Sequence, residues 1–273
     1  MVTAVPSRPG SRTPAAPAAP HPAAVALPPG ALELVGVAKT YANGFVALED
    51  VDLRVGRGEL VAIVGPSGCG KSTVLRLAAG LIAPSKGRIS KSAGDLAYVF
   101  QDPTLLAWRS VRANVELVCR IRGIPKQERA ERSARALELV GLSEVAGHLS
   151  HELSGGMKMR VSIARALATQ PDLLLLDEPF GALDEFTRQR LNDELHRIWA
   201  VEGFAAVLVT HSLREAVFLG HRIVVMAPGP GRVLSTYASP APPTGALDHQ
   251  ARRESPELER LALEIGRELA FVS

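Results

Sequence analysis

The chain has little cysteine, no long apolar run free of proline, and little charge of either sign to spare. Cys69 and Cys119 are the only cysteines among 273 residues. Cys69 falls inside a glycine-rich loop, so a structural disulfide is not expected there, and the usage fits a reducing cytosol. The only long uncharged stretch, Thr13–Leu32, carries Pro14, Pro17, Pro20, Pro22, Pro28 and Pro29. Those prolines forbid a continuous membrane helix, and Ala23–Leu27 is too short for the apolar core of a signal peptide. Residues 1–30 therefore read as a disordered Pro/Ala-rich tail. A net charge of +3 is mild and implies no nucleic-acid partner. What remains is ample for a core: 47% of the residues are hydrophobic, which suits one large domain or two small ones.

The most informative stretch is GPSGCGKST, Gly65–Thr73. It contains the spacing G-x-x-x-x-G-K-[ST], a loop that cradles a polyphosphate. Gly65, Gly68 and Gly70 allow tight turning, and the backbone N–H groups of the loop, through Ser67 and Cys69, aim at the phosphates. Lys71 reaches the outer phosphates, and the Ser72 hydroxyl can ligate Mg²⁺. The context agrees. Leu60–Val64 (LVAIV) reads as a buried strand, and Thr73–Ala79 (TVLRLAA) as the helix whose N-terminus supports the anion.

Along the chain, Ala31–Val37 reads as an opening strand, and Gly44 and Gly58 punctuate a hairpin-like region around Ala47–Val55. Pro84–Gly94 reads as turn-rich, and Leu96–Phe100 as a strand ending at Gln101. From Pro103 to about Ala168 helical spacing dominates, with Ala130, Ala134, Leu137 and Val140 recurring on one face. Strands return at Leu173–Leu176, Ala206–Val209 and Arg222–Met226, with a helix at Arg188–Trp199 between the first two. Alternating strands and helices predict a parallel sheet of the α/β class, with the helical block as an inserted subdomain. Beyond Pro228 the chain reads as Pro- and Gly-rich, up to a final helix that Ser255 can cap. Leu258, Leu261, Ile265 and Leu269 form its stripe, suited to packing on the main domain. Eight Arg/Lys and three Glu between Arg109 and Arg135 read as a solvated helical face; contact with anionic lipid headgroups or a partner is the alternative.

Further chemistry follows the phosphate loop. LLLLDE at Leu173–Glu178 is an apolar strand ending in acids: Asp177 can hold Mg²⁺, and Glu178 can polarise an attacking water. His211 follows the strand AAVLVT, at the strand end where ligands of α/β proteins bind. In LSGGMKMR, Ser154, Gly155 and Gly156 give a bare helix N-terminus, a second anion device; alone, it would read as an ordinary glycine turn.

GPSGCGKST, Gln101, LSGGM, LLLLDEP, GALD at Gly181–Asp184 and His211 occur in an order that resembles ABC-type ATPases. The resemblance spans Tyr41 to His211 and implies an α/β P-loop NTPase with an inserted helical subdomain, about 103–168, and a small antiparallel β region. The ATPase domain would cover 31–240 and a C-terminal helical extension 241–273. It implies ATP as ligand and Mg²⁺ as cofactor. Tyr41 would stack on adenine, with a core tyrosine as the alternative. Ser72, Gln101 and Asp177 would serve the metal, Gln101 also sensing the outermost phosphate. Glu178 would be the catalytic base, His211 the switch histidine, and Asp184 a link between two active sites. Ser154, Gly155 and Gly156 would bind the nucleotide held by the opposite subunit. One set of motifs per chain then implies a head-to-tail dimer with a second copy.

QDPTLLAWRSV at Gln101–Val111 resembles the nitrate/sulfonate/taurine importer group, although Ala107 stands where that group commonly has proline, and LSGGM carries Met157 where glutamine is commonest. That implies integral membrane permease subunits as partners, with Leu105, Leu106 and Trp108 at the docking groove or in the subdomain core. It also implies a periplasmic solute-binding protein and a peripheral place on the cytoplasmic face of the bacterial inner membrane. Bicarbonate or a vitamin precursor as solute, and a soluble ABC ATPase unconnected with transport, are the alternatives.

Overall fold

The computed structural model describes residues 30–92, 94–181, 183–240 and 248–272. The expected Pro/Ala tail lies outside the described residues except for Gly30, which already belongs to the first strand. Residues 241–247 of the expected C-terminal extension are likewise outside them.

Two sheets organise the described residues. The larger has six strands in the order β5 (Leu96–Val99), β6 (Leu173–Asp177), β7 (Ala205–Val209), β3 (Leu60–Val64), β8 (Arg222–Ala227) and β9 (Arg232–Ala238). The first five are parallel; β9 returns antiparallel to β8. Every residue of β3, β6 and β7 is buried, as expected of central parallel strands covered on both faces. The smaller sheet is antiparallel, in the order β2 (Val46–Gly56), β1 (Gly30–Thr40), β4 (Lys86–Lys91).

Side-chain alternation along the strands sends each face into a different core. Leu173 and Leu175 of β6 and Val207 of β7 pack with α1 (Lys71–Ala79) and the small sheet. Leu174 and Leu176 face the other way, onto α2 (Val111–Ile121), α3 (Lys126–Leu139), α4 (Gly155–Leu167) and α5 (Glu185–Glu202). A third cluster joins β8 to α6 (Leu213–Leu219) and α8 (Pro256–Val272). There Leu258 and Ile265 are buried, and Leu261 and Leu269 pack beside them, which places the C-terminal stripe on the main body. A short α7 (His249–Arg253) precedes α8.

Two sequence expectations are corrected. Pro84–Gly94 is not merely turns, because Lys86–Lys91 forms β4 against β1. The stretch after Pro228 holds β9, paired antiparallel with β8 along its length apart from a register shift between Val225 and Met226. Both are edge strands in which neighbours, not an apolar pattern, supply the pairing. The basic face between Arg109 and Arg135 is solvated: Arg112, Arg120, Arg122, Lys126 and Arg135 are exposed, and four of its arginines carry ion pairs, Arg122 with Asp95, Arg129 with Glu116, Arg132 with Glu128 and Arg135 with Glu202.

Gly231, just before β9, ties the sheets to the glycine loop. Its N–H donates to the Ala47 carbonyl at 3.1 Å, and its carbonyl accepts from the Glu49 N–H at 2.9 Å. A Cβ there would collide with the Cys69 carbonyl and stand 3.0 Å from both Ala47 O and Leu48 Cδ2. Gly231→Ala is therefore expected to lower stability by about 1–3 kcal/mol, as overpacking of a close contact does. An unchanged urea-unfolding midpoint would contradict this packing.

Candidate functional site

Parallel strands deliver the site to one edge. The glycine loop follows β3, Asp177 and Glu178 end and follow β6, His211 follows β7, and Gln101 lies two residues beyond β5. In the sheet these strands are consecutive, β5-β6-β7-β3, so four loops open at neighbouring carboxyl ends.

The loop's glycines serve different ends. Gly68 and Gly70 have φ of 78° and 97°, a region that disfavours side chains, so they make the turn. Gly65 does not turn; a Cβ on it would meet the Met226 carbonyl at 2.6 Å, so its role is close approach to β8. A Cβ on Gly70 would also meet Leu48 Cδ2 of β2 at 2.5 Å. Gly70 is the N-cap of α1 and no side chain caps that helix, so its first N–H groups are left for a ligand. The helix begins at Lys71, two residues earlier than its apolar pattern suggests, so Lys71, Ser72 and Thr73 form its first turn.

Lys71 is 5% exposed, and its ammonium donates to the carbonyls of Gly65 (2.8 Å) and Pro66 (2.9 Å). The Cys69 side chain is fully buried, 3.9 Å from Lys71 Nζ, with its thiol pKa pushed up by burial; only its backbone is offered to a ligand. Ser67 is exposed at the loop's tip.

Asp177 is the junction of the site. Its Oδ1 accepts the Ser72 hydroxyl at 2.8 Å and its Oδ2 the Tyr98 hydroxyl at 2.9 Å. A carboxylate and a hydroxyl side by side are hard oxygen donors that suit Mg²⁺. Tyr98 is absent from the sequence expectations. Its signal lies in the pairing of β5 with β6, which sets Tyr98 opposite Leu175, two residues short of Asp177. Burial, followed by the Asp177 charge, raises the Tyr98 pKa.

Glu178 has φ of 45°, a conformation costing a non-glycine residue of order 1–3 kcal/mol. Its N–H donates to the Val209 carbonyl at 2.9 Å, which holds it at the end of β7. Oε2 lies 3.3 Å from His211 Nδ1. A Cβ on Gly181 would approach His211 Cε1 to 3.3 Å, so glycine keeps that pair accessible. Gln101 is exposed at the edge of this group and makes no hydrogen bond among the described residues. Tyr41 closes the β1–β2 turn, its ring 6.5 Å from that of Phe45 and 5.3 Å from Lys39 Nζ. It is half-buried and belongs to none of the three hydrophobic clusters.

The LSGGM turn stands elsewhere. Ser154 caps α4, its Oγ accepting the Met157 N–H at 3.3 Å, and Ser154 and Gly155 are exposed. No hydrogen bond among the described residues joins Ser154–Gly156 to Gly65–Thr73. Instead this turn adjoins α5: a Cβ on Gly156 would meet Thr187 Cγ2 at 3.1 Å. Asp184 caps α5 through the Thr187 N–H at 2.9 Å, and that bond holds its carboxyl below the usual carboxylate range. Arg188, also missed by sequence reading, donates to the carbonyls of Phe180 and Leu183 and so fixes the loop between Glu178 and Asp184. In the helical block, Leu105 packs against the core whereas Trp108 is 74% exposed.

The raised Tyr98 pKa has a consequence in solution. The folded state keeps this proton above the ordinary tyrosine value of about 10, so folding binds more protons there and stability falls as pH rises past that value. Tyr98→Phe is expected to lose less stability than the wild type between about pH 8 and pH 10.5. Parallel urea-unfolding curves at the two pH values would contradict the Tyr98–Asp177 bond.

Comparison with known proteins agrees with this geometry. Residues 48–181 match the family model described as ABC transporter. The taurine import ATP-binding protein TauB of Chromobacterium violaceum is 43% identical over 224 residues, 80% of this chain and 86% of that protein. TauB of Yersinia pestis bv. Antiqua is 46% identical over 199 residues, 70% of this chain and 78% of its own. Among solved structures, the dimeric MJ0796, a bacterial ABC transporter cassette, superposes with a TM-score of 0.67 at 31% identity, covering 79% of this chain and all of that one. With the relatives' identity and coverage added to the strand-end arrangement, the chain belongs to the ABC transporter family, as one of its ATP-binding subunits.

Proposed function

We propose that this chain is the ATP-hydrolysing subunit of a bacterial importer and that it works as a head-to-tail dimer. The observation that carries the reading is the division of the anion-binding devices. The glycine loop, Asp177, Glu178 and His211 share one sheet edge, while the exposed Ser154–Gly156 helix terminus stands apart on the helical block. A second copy would bring its terminus to the nucleotide on the first. MJ0796, at 31% identity, is dimeric also in a post-hydrolysis state bound to ADP and Pi.

In this reading the triphosphate lies on the loop and the first turn of α1, with Lys71 exchanging loop carbonyls for phosphate oxygens. Ser72 and Asp177, with Gln101 nearby, would hold Mg²⁺, which neutralises charge on the outer phosphates when bound. Glu178 accepts the proton of the attacking water. His211 keeps that carboxylate oriented through Nδ1 and leaves Nε2 for the outermost phosphate. Tyr41 offers its half-buried ring to adenine, and Asp184, beside the terminus of α4, relays occupancy between the two sites. Closure requires that ATP bind the closed dimer better than the open one, and hydrolysis removes that preference.

Trp108 supports the membrane partner. An exposed tryptophan on the helical block suits a contact with a permease subunit, and such aromatics anchor interfaces. That partner would place the chain at the cytoplasmic face of the inner membrane, fed by a periplasmic solute-binding protein. The two TauB relatives favour taurine or a similar small sulfonate as cargo.

Two outcomes test the proposal. Glu178→Gln is expected to shift from monomer to dimer on gel filtration when ATP is added; a variant that stays monomeric would contradict the composite site. Lys71→Ala is expected to weaken ATP binding at least about tenfold, the worth of a charged hydrogen bond. Unchanged affinity in a fluorescence titration would sink the phosphate-loop assignment.

A further inference from the structure

We infer that the outer face of α2 is a contact for anionic lipid: Arg112 and Arg120, with Arg109 at its start, bind phosphates of the membrane surface that surrounds the permease. This rests on the membrane-partner reading given above. The basic segment between Arg109 and Arg135 has no part in the nucleotide site, so its charge is free for another use.

Its own ion pairs leave a surplus of one sign. Eight cations and three carboxylates lie in the segment. Arg122, Arg129, Arg132 and Arg135 are engaged in ion pairs. Arg109, Arg112, Arg120 and Lys126 have no side-chain hydrogen bond or ion pair among the described residues. Against them stands Glu131 alone, which accepts from Gln127 at 3.3 Å; Glu116 and Glu128 already face arginines.

The helix lays part of this surplus out in a row. Arg112, Glu116 and Arg120 recur every four residues and so share one face of α2. Both arginines are exposed. Glu116, between them, takes Arg129 at 3.3 Å and the Ser133 hydroxyl at 3.4 Å, so its charge is answered from α3. Val111, Val115 and Cys119 are fully buried and hold the helix to the core. Asn114, also fully buried, donates to the carbonyls of Leu106 (3.1 Å) and Arg109 (3.3 Å) and accepts the Leu106 N–H at 2.8 Å. The loop that carries Trp108 and Arg109 is thereby fixed to the first turn of α2, and the row is presented as one rigid edge.

The chemistry of the row favours lipid over an acidic protein loop. A loop would need carboxylates at a matching spacing, whereas a lipid surface offers phosphate oxygens all along it, which guanidinium groups bind by paired hydrogen bonds. Ile121, exposed beside Arg120, suits the boundary between headgroups and acyl chains. Trp108, assigned above to the permease, stands four residues before Arg112. The row therefore begins at that contact and continues onto the bilayer beside it.

The test is co-sedimentation of the full chain with vesicles that contain no permease. Binding is expected to vesicles of phosphatidylcholine mixed with phosphatidylglycerol and not to phosphatidylcholine alone, and it is expected to weaken as salt screens the attraction. Each cation near an anionic surface contributes about fivefold in partitioning, so Arg112→Gln combined with Arg120→Gln is expected to weaken binding at least about tenfold. Lys86→Gln combined with Arg88→Gln, on the charged strand β4, is expected to change it less than about twofold. No preference for the anionic vesicles, or an equal loss in the two double variants, would overturn the inference. All four side chains are exposed, so both variants are expected to fold. Should the α2 pair not fold, Arg120→Gln alone decides, with binding weaker by about fivefold expected and unchanged binding contradicting the contact. A wild type that hydrolyses ATP yet ignores anionic vesicles would sink this contact alone, whereas a Glu178→Gln variant that stays monomeric with ATP bears on the function proposed above.

Discussion

One buried carboxylate joins the parts of this site. Asp177 ends β6 and accepts one hydroxyl from α1 and another from β5. At 7% exposure it cannot rely on water, so both bonds are needed to hold the charge. Hydrogen bonds to charged groups contribute about 1.5–3 kcal/mol each, enough to fix the relative height of three elements. A one-residue slip of β6 would turn Asp177 to the opposite face and bring Leu176 to Ser72. The placement of Glu178, and through it of His211, follows from the same register.

Close approach is the second constraint, and it explains the glycines better than flexibility does. Gly65 lies on the Met226 carbonyl and Gly70 on Leu48, while Gly231 leaves no gap beneath Cys69. The loop is clamped between β8 and β2 before any ligand arrives. In the proposed nucleotide complex its N–H groups would therefore be aimed in advance, and binding would cost little reorganisation. Lys71 is held as well: its buried ammonium donates to the carbonyls of Gly65 and Pro66, which in the proposed nucleotide complex would give way to phosphate oxygens.

The sequence was legible where a pattern depends on the chain's own neighbours. LVAIV, LLLLD and AAVLV are continuous apolar runs, and each is a fully buried strand. The glycine loop, the acids after β6 and His211 after β7 could likewise be placed, because strand ends in a parallel sheet share one edge. Contacts between distant segments were not legible. Tyr98 reaches Asp177 only because β5 pairs with β6, 79 residues further on. Arg188 binds carbonyls behind it in the chain, which no side-chain pattern announces. The second strand lost to sequence reading, β9, is half-buried and gains its structure from β8.

The other unread strand has a consequence of its own. β4 carries Lys86, Arg88 and Lys91, pairs among the described residues with β1 alone and forms an outer margin of the small sheet. Its free backbone groups would be a template for another chain's strand. Three cations along six residues repel a second β4, and they desolvate poorly against any apolar strand. The charge that hid this segment from an apolar pattern thus serves colloidal solubility, keeping neighbouring copies from joining edge to edge while they remain free to meet elsewhere.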